Sequence, residues 1–473
     1  MLLKNLIVLA MGVLMLISAC ALAAGDDKSF LEQKRAVYVD KVWTGARTMC
    51  PIVTRDDVQY LAYYDANRQM TVASRRVDSD KWTYKKLDDK CMWDSHNFIS
   101  LGIDTEGFVH ISGNMHVKSL RYYRSAKPGD VRSIEPIHKM VGGQESKVTY
   151  PYFFNGIIGE LYFMYRDGSS GQGNSLINRY DTRTQTWSRI SDKPLIDGEG
   201  KMNAYESWPK SDSHGVYHMA WVWRDTGDIL TNQDVSYART VGSDLASWCK
   251  SDKTPLKLPI TLGTGEIIDP VPTSSGLRNS VAQITFDLQG RPMVTYVKYR
   301  PKERKWTQIY AMRLEDSGWK RYQTTNWTDV DEWSGGGSIG SKVRFGGVAP
   351  YKDRMYQVFV NDFQAPYMQI RFLDSKTLHA ISDPMRLYPA ELDTLPQDRP
   401  DTEWSVNWAN GELRNWASLD MDTLQKQGSI WVLRWTTMRP NRDQPRATTP
   451  PPSRMEVIEF KERSQPITVN RQP

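Results

Sequence analysis

The chain has 473 residues, of which 40% are hydrophobic, 11% aromatic and 25% charged, a balance that excludes collagen-like, coiled-coil and wholly disordered proteins. Its formal net charge is +6, an excess that suits an anionic partner but is too small to identify one. Such a length suggests two or three ordinary domains, although a repetitive all-β fold accommodates it in one.

Residues 1–19 place Lys4 ahead of an apolar run, Leu6 to Ile17, with no further charge before Asp26, the layout of a secretory signal. The run is too short for a membrane span. It closes on Leu16-Ile17-Ser18-Ala19-Cys20, and small residues directly before a cysteine resemble the bacterial lipobox, which makes Cys20 the lipidated first mature residue. Cleavage after Ala21-Leu22-Ala23 or at Ala24 is the alternative and releases a soluble protein. Either way the chain is expected to be exported, as an outer-membrane lipoprotein or as a secreted or periplasmic protein. Membrane contact is then limited to the lipid anchor.

Beyond this segment, a unit of strand, tight turn and strand with alternating apolar residues recurs along the chain. The units are Val58 to Arg75 around Asp65-Ala66-Asn67, His96 to His116 around Asp104-Thr105-Glu106-Gly107, and Tyr150 to Arg166 around Asn155-Gly156. Tyr205 to Arg224 follows around Ser211 to Gly215, then Ser280 to Lys298 around Asp287-Leu288-Gln289-Gly290. Val348 to Asn361 around Tyr351-Lys352-Asp353 and Trp404 to Asp420 around Asn410-Gly411 complete the series. Asp, Asn and Gly occupy these turns because they tolerate the backbone angles of a tight hairpin. Each unit is followed by one or two further β-like runs, so four strands per unit predict an all-β fold, a seven-bladed β-propeller over residues 34–462. Two sandwiches are the rival architecture, but they leave the seven similar units unexplained. Pro440 to Pro452 reads as a Pro-rich loop or strap with no assigned activity, and residues 463–473 as a C-terminal tail.

In a propeller the start of the first strand and the end of the second lie on one face of each blade. Blades 2, 3 and 4 open on His96, Tyr150 and Tyr205, and their second strands close on His116, Arg166 and Arg224. Blades 5 to 7 offer Ser280, Lys298, Asn361 and Trp404, a less coherent set. His, Tyr and Arg without paired carboxylates suit β-elimination at a uronic acid: Arg neutralises the carboxylate, one group withdraws the adjacent proton, and another protonates the departing glycosidic oxygen. Arg166 is the expected source of positive charge for a Tyr150 base. Arg224 either binds substrate or pairs with Asp225. His218, alternating with Tyr217 and Met219, reads as structural.

His96-Asn97-Phe98-Ile99-Ser100-Leu101 and His110-Ile111-Ser112-Gly113-Asn114-Met115-His116 resemble the core of BNR-repeat-containing propellers that include the ulvan lyases of polysaccharide lyase families 25 and 24. Val148-Thr149-Tyr150-Pro151, Tyr165 to Gly171, Trp221 to Thr226 and Asp234 to Arg239 extend the resemblance over about half the chain, closer to family 25. The resemblance implies a seven-bladed propeller that cleaves ulvan, a sulfated rhamnose and uronic acid polymer. It implies that His96 and Tyr150 supply acid and base, that Arg166 neutralises the carboxylate, and that His116 and Tyr205 support the site, Tyr205 in the least distinctive surroundings. The Asp-box pattern of BNR repeats is degenerate here. A glycoside hydrolase needs two carboxylates flanking the bond, and Asp104 and Glu206 do not present themselves as such a pair. A non-catalytic surface glycan-binding lipoprotein is the other alternative.

With Cys20 lipidated, Cys50, Cys91 and Cys249 leave either one disulfide and a free thiol or a structural zinc held by three thiolates and a histidine such as His138. The elimination chemistry itself requires no cofactor. Gly335-Gly336-Gly337 and Gly171-Gln172-Gly173 match no nucleotide fingerprint. The expected partner is therefore an anionic polysaccharide, with no nucleic acid, met by a monomer.

Overall fold

The turn at Asp104 shows how this chain makes its hairpins. One carboxylate oxygen accepts from the amides of Glu106 at 3.0 Å and Phe108 at 2.9 Å, and the other lies 3.2 Å from Nε2 of His110. Asp65, Asp212 and Asp287 repeat the pattern, taking the amides two and four residues on with one oxygen. Their second oxygens take Lys86 at 2.6 Å, His218 at 3.3 Å and Arg291 at 2.8 Å. The fourth residue of each turn has φ of 66° to 87°, filled by Gly107, Gly215 and Gly290, and by Arg68 in the first.

The computed structural model describes residues 29–279, 284–301, 305–393, 402–408, 421–448 and 451–464. They form an all-β propeller of four-stranded antiparallel blades, and seven sheets are present among them. In chain order their first strands are Ile52–Arg55, Ile99–Ile103, Val148–Asn155, Asn203–Glu206, Ile284–Phe286, Val343–Tyr351 and Thr402–Trp408. The seventh sheet joins both ends of the chain: Leu31–Val42 is its outer strand, antiparallel to Ser453–Glu462. Apolar clusters fill the spaces between neighbouring sheets. Met115 and Tyr122 pack with Phe153 and Phe163, and Leu433 and Trp435 of the seventh sheet pack with Leu61 and Tyr63 of the first. The ring thereby closes on itself and its terminal strands are not left as open edges.

Two predicted units are placed differently. Val58–Tyr64 and Gln69–Arg76 are the second and third strands of the first sheet, because Asp56 and Asp57, at φ 48° and 61°, turn Ile52–Arg55 back as the first. In the seventh, a short helix, Met421–Gln427, precedes the second strand Ile430–Met438, which lies beyond the predicted Asp420 limit. The Asn410-Gly411 turn, Ser280, Cys20, the whole of residues 1–19 and most of the 463–473 tail lie outside the described residues. No helix among the described residues is long and apolar enough to cross a membrane.

At the Asp-turn end, residues of the first four sheets line a cavity of about 660 Å³, among them Arg55, Thr105, Asn155 and Ser211. His96, Tyr150 and Tyr205 stand at or before the opposite ends of their strands. Replacing Asp104 by Ala removes the acceptor of two amides and of the buried His110. It is expected to destabilise the fold by about 2–4 kcal/mol, read as a lower urea midpoint.

Candidate active site

Strand register brings the expected residues together. Arg166 stands opposite Thr149, Arg224 opposite Asn203, and Gly113 opposite Ile99, so the residues just beyond these pairs share one face. Gly113 admits no side chain, since a Cβ there would lie 2.9 Å from the backbone of Phe98 and Ile99. Asn114, at φ 60°, is pinned through Nδ2 to Asp89 at 2.5 Å and to the Lys90 carbonyl at 2.8 Å. These contacts explain the Gly113-Asn114-Met115-His116 segment: it is a fixed arm that carries His116.

Asp94 organises the two histidines. Its Oδ1 accepts from the His96 amide at 2.9 Å and meets His96 Nδ1 at 2.6 Å, while Oδ2 meets His116 Nδ1 at 2.5 Å. The two imidazoles stack with centroids 4.2 Å apart at 22°. Asp443 adds a second carboxylate 3.4 Å from His96 Nδ1. Burial works against charge on His96, but Tyr150, Asp443 and Asp94 outweigh it and raise its pKa well above the imidazole range. Burial likewise opposes charge on Asp94, yet hydrogen bonds and charge from His116 and His96 hold its carboxyl well below the usual range.

Tyr150 occupies a bulge between the Thr149 and Tyr152 pairs and has φ 59°, a conformation that costs a non-glycine residue energy and re-aims its side chain. Its ring stacks on Phe98 at 5.8 Å and 15° and lies 5.8 Å from His96 and 6.3 Å from Tyr205. The Arg166 guanidinium sits 4.8 Å from the Tyr150 ring centroid. Arg166 is 2% exposed, and Nε, Nη1 and Nη2 have no hydrogen-bond partner among the described residues. Gly173 leaves room for its stem, as a Cβ there would meet the Arg166 Cδ at 2.6 Å.

Arg224 does not pair with Asp225. It donates from Nε to the Thr226 carbonyl at 3.0 Å, from Nη1 to the Tyr205 hydroxyl at 3.1 Å, and from Nη2 to the Gly227 carbonyl. The Tyr205 hydroxyl also lies 2.9 Å from Ser170 Oγ. Burial raises the Tyr205 pKa, but Arg224 and Arg166, with smaller help from Ser170 and His96, bring it below the ordinary phenol range.

The remaining histidines of the second strands differ in kind. His110 and His218 are buried, bonded to Tyr122 at 2.7 Å and Tyr237 at 2.6 Å, and burial lowers the pKa of His218 to about 4. Both are parts of the Asp-turn framework. Among the described residues Cys50, Cys91 and Cys249 are buried and form no disulfide, and burial pushes the Cys50 thiol up to about 12. Cys50 and Cys91 pack in the cores beside the first sheet and Cys249 lies in the fourth, and among the described residues the one grouping with metal-ligand spacing contains none of Cys50, Cys91, Cys249 or His138. Asp94, His96 and His116 do bring one ligand atom each within 4.8 Å of one another, with the Asp94 carboxylate paired to Nδ1 of both histidines. Sequence reasoning missed Asp94, Asp443, Phe98 and Ser170. Of these, Asp94 had a local signal, an Asp two residues before His96.

Asp94 has a depressed pKa, so its contribution to stability is present above the unfolded carboxylate value and lost as pH falls through the folded one. His96 has a raised pKa, so its contribution is fully present below the unfolded imidazole value and lost as pH rises through the folded one. The stability difference between the wild type and Asp94→Asn is expected to peak between about pH 4 and 6.5 and to shrink on both sides in denaturant titrations.

Known structures share this architecture. The polysaccharide lyase Uly1 superposes with a TM-score of 0.62 at 12% identity, covering 91% of this chain and 99% of that one. A polysaccharide lyase family 25 ulvan lyase bound to -[GlcA(1-4)Rha3S]- gives 0.58 at 12% identity, covering 89% and 95%. A further polysaccharide lyase family 25 ulvan lyase structure gives 0.55 at 12% identity, covering 90% and 94%. At this identity the likeness is one of fold. No curated protein matches the sequence significantly. The model of the BNR repeat-containing family matches residues 58–327, more than half of the chain, and the chain belongs to that family.

Proposed function

We propose that this protein is a polysaccharide lyase that cleaves ulvan, or a closely similar sulfated uronic polymer, by β-elimination. The observation that carries the reading is Arg166: a buried guanidinium with three unpartnered nitrogens, set against Tyr150 beside two histidines and a second phenol. Such a group calls for an anion of bidentate shape, and a uronic carboxylate supplies one. The likeness in fold to a polysaccharide lyase and to ulvan lyases of family 25 agrees with this choice.

In this reading the seven sheets are seven blades of one catalytic domain, residues 34–462. Residues 1–19 are a signal, and Cys20 carries the lipid that holds a monomer at the outer membrane. Arg166 takes the substrate carboxylate and stabilises the negative charge that develops as the neighbouring C–H bond ionises. The phenolic oxygen of Tyr150 is the base that accepts that proton. The electron pair of the C–H bond becomes the new C=C bond and the glycosidic C–O bond breaks. His96, kept cationic by its carboxylates, gives its proton to the departing oxygen. His116 holds Asp94, and Arg224 acts through the hydroxyl of Tyr205, which with Ser170 borders the carboxylate side.

Purified protein acting on ulvan is expected to generate the ultraviolet absorbance of an unsaturated uronic product. Tyr150→Phe and Arg166→Ala are each expected to lower turnover by about 100-fold or more while remaining folded. Binding of ulvan without any such product, in wild type as in variants, would replace the lyase by a glycan-capture protein.

A further inference from the structure

The Pro-rich strap after the seventh sheet's second strand reaches the site. Arg442 and Asp443 are consecutive non-glycine residues at φ 61° and 60°, a conformation that persists only where surrounding contacts impose it. Those contacts are specific. Arg442 N donates to the Ser338 carbonyl at 2.9 Å, and Ser338 N donates to Asp443 Oδ2 at 2.8 Å. Asp443 Oδ1 accepts from the Ser95 amide at 3.0 Å and the Ser95 hydroxyl at 2.7 Å, and Oδ2 lies 3.4 Å from His96 Nδ1. One carboxylate from the seventh sheet thus fixes both the segment leading into the second sheet and its histidine.

The Gly335-Gly336-Gly337 segment completes the connection. A Cβ on Gly337 would lie 2.9 Å from the Arg442 carbonyl, and one on Gly336 would lie 2.9 Å from the Gly227 carbonyl. Gly335 N donates to Asp228 Oδ1 at 2.7 Å, and the Gly335 carbonyl accepts from Ile229 N at 2.9 Å. Gly227 is the residue whose carbonyl accepts from Arg224. The glycines let three loops meet closely, and a continuous path of contacts runs from Tyr205 through Arg224, the 227–229 turn and residues 335–338 to Asp443 and His96.

We propose that Asp443 is the positioning residue of this site: with Asp94 it fixes the His96 ring by Nδ1 and leaves Nε2 for proton transfer. This rests on the lyase reading for its catalytic consequence, but not for the hold on His96. Four groups face His96, namely Asp94, His116, Tyr150 and Asp443, and Asp443 alone among them comes from the strap. Burial opposes charge on Asp443 too, yet His96 and Ser95 hold its carboxyl below the usual range.

The test is an NMR titration of the His96 ring in full-length protein without substrate, assigned by comparison with His96→Gln, beside a pH profile of ulvan cleavage. Asp443→Asn is expected to lower the His96 midpoint by about one pH unit or more. Because His96 acts as the acid, the alkaline limb of kcat should move to lower pH with it, kcat falling about tenfold or more and KM changing little. Asp443→Glu, which keeps the charge, should give an intermediate midpoint and stands in if the Asn variant does not fold. An unmoved midpoint in folded variants overturns the proposal, as does a moved midpoint with an unmoved alkaline limb. If the wild type cleaves no uronic polymer, the lyase reading fails by itself, and the titration still decides whether Asp443 governs His96.

Discussion

Burying a guanidinium without a hydrogen-bonding partner is the constraint around which this site is built. Each unsatisfied buried donor costs roughly 1–3 kcal/mol, and Arg166 carries its three nitrogens at 2% exposure. The ring of Tyr150 offers partial compensation through its π face, which requires the strained backbone and bulge at that residue. Gly173 is required in turn because the stem of Arg166 fills the space of any larger side chain. None of these features stabilises the fold locally. Under the proposed lyase reading they make sense together as a cost that an incoming anion would remove.

The acidic groups nearby could have neutralised Arg166, but the architecture commits them elsewhere. Asp94 is bound by His96 and His116, and Asp443 by Ser95, Ser338 and His96. The site is thereby divided into a carboxylate and imidazole half on the second sheet and a guanidinium and phenol half on the third and fourth. The same residue type behaves oppositely at the two faces of the propeller. In His218 the desolvation of a buried ring wins and depresses the pKa, while in His96 the carboxylates and Tyr150 overcome desolvation and raise it.

Much of this was legible because hairpins in a propeller repeat. The Asp104, Asp212 and Asp287 turns announce themselves through their spacing, and the register between a first strand's start and a second strand's end follows from them. That is why His96, His116, Tyr150, Arg166, Tyr205 and Arg224 could be grouped without coordinates. The first sheet was misread because Asp56-Asp57 makes a two-residue turn without the glycine or asparagine that normally marks one. Asp443 could not be read at all, since its partners Ser95 and Ser338 are joined to it by ring closure and by no local pattern.

Under the proposed lyase reading, the division of charge also bears on how a phenol would act as a base with a uronic polymer bound. Before binding, Arg166 and Arg224 both lower the Tyr205 pKa, and Arg166 lies over the Tyr150 ring. A uronic carboxylate seated on Arg166 would take up much of the positive charge that the phenols otherwise share. A phenolate already formed would then be less stabilised than before and would bind a proton more strongly. The carboxylate would acidify its neighbouring C–H bond through the same contact. Under the proposed lyase reading, proton transfer would thus be favoured from both sides by one ion pair, and His96, whose charge is raised by Tyr150, Asp443 and Asp94, would keep its own proton available for the leaving oxygen.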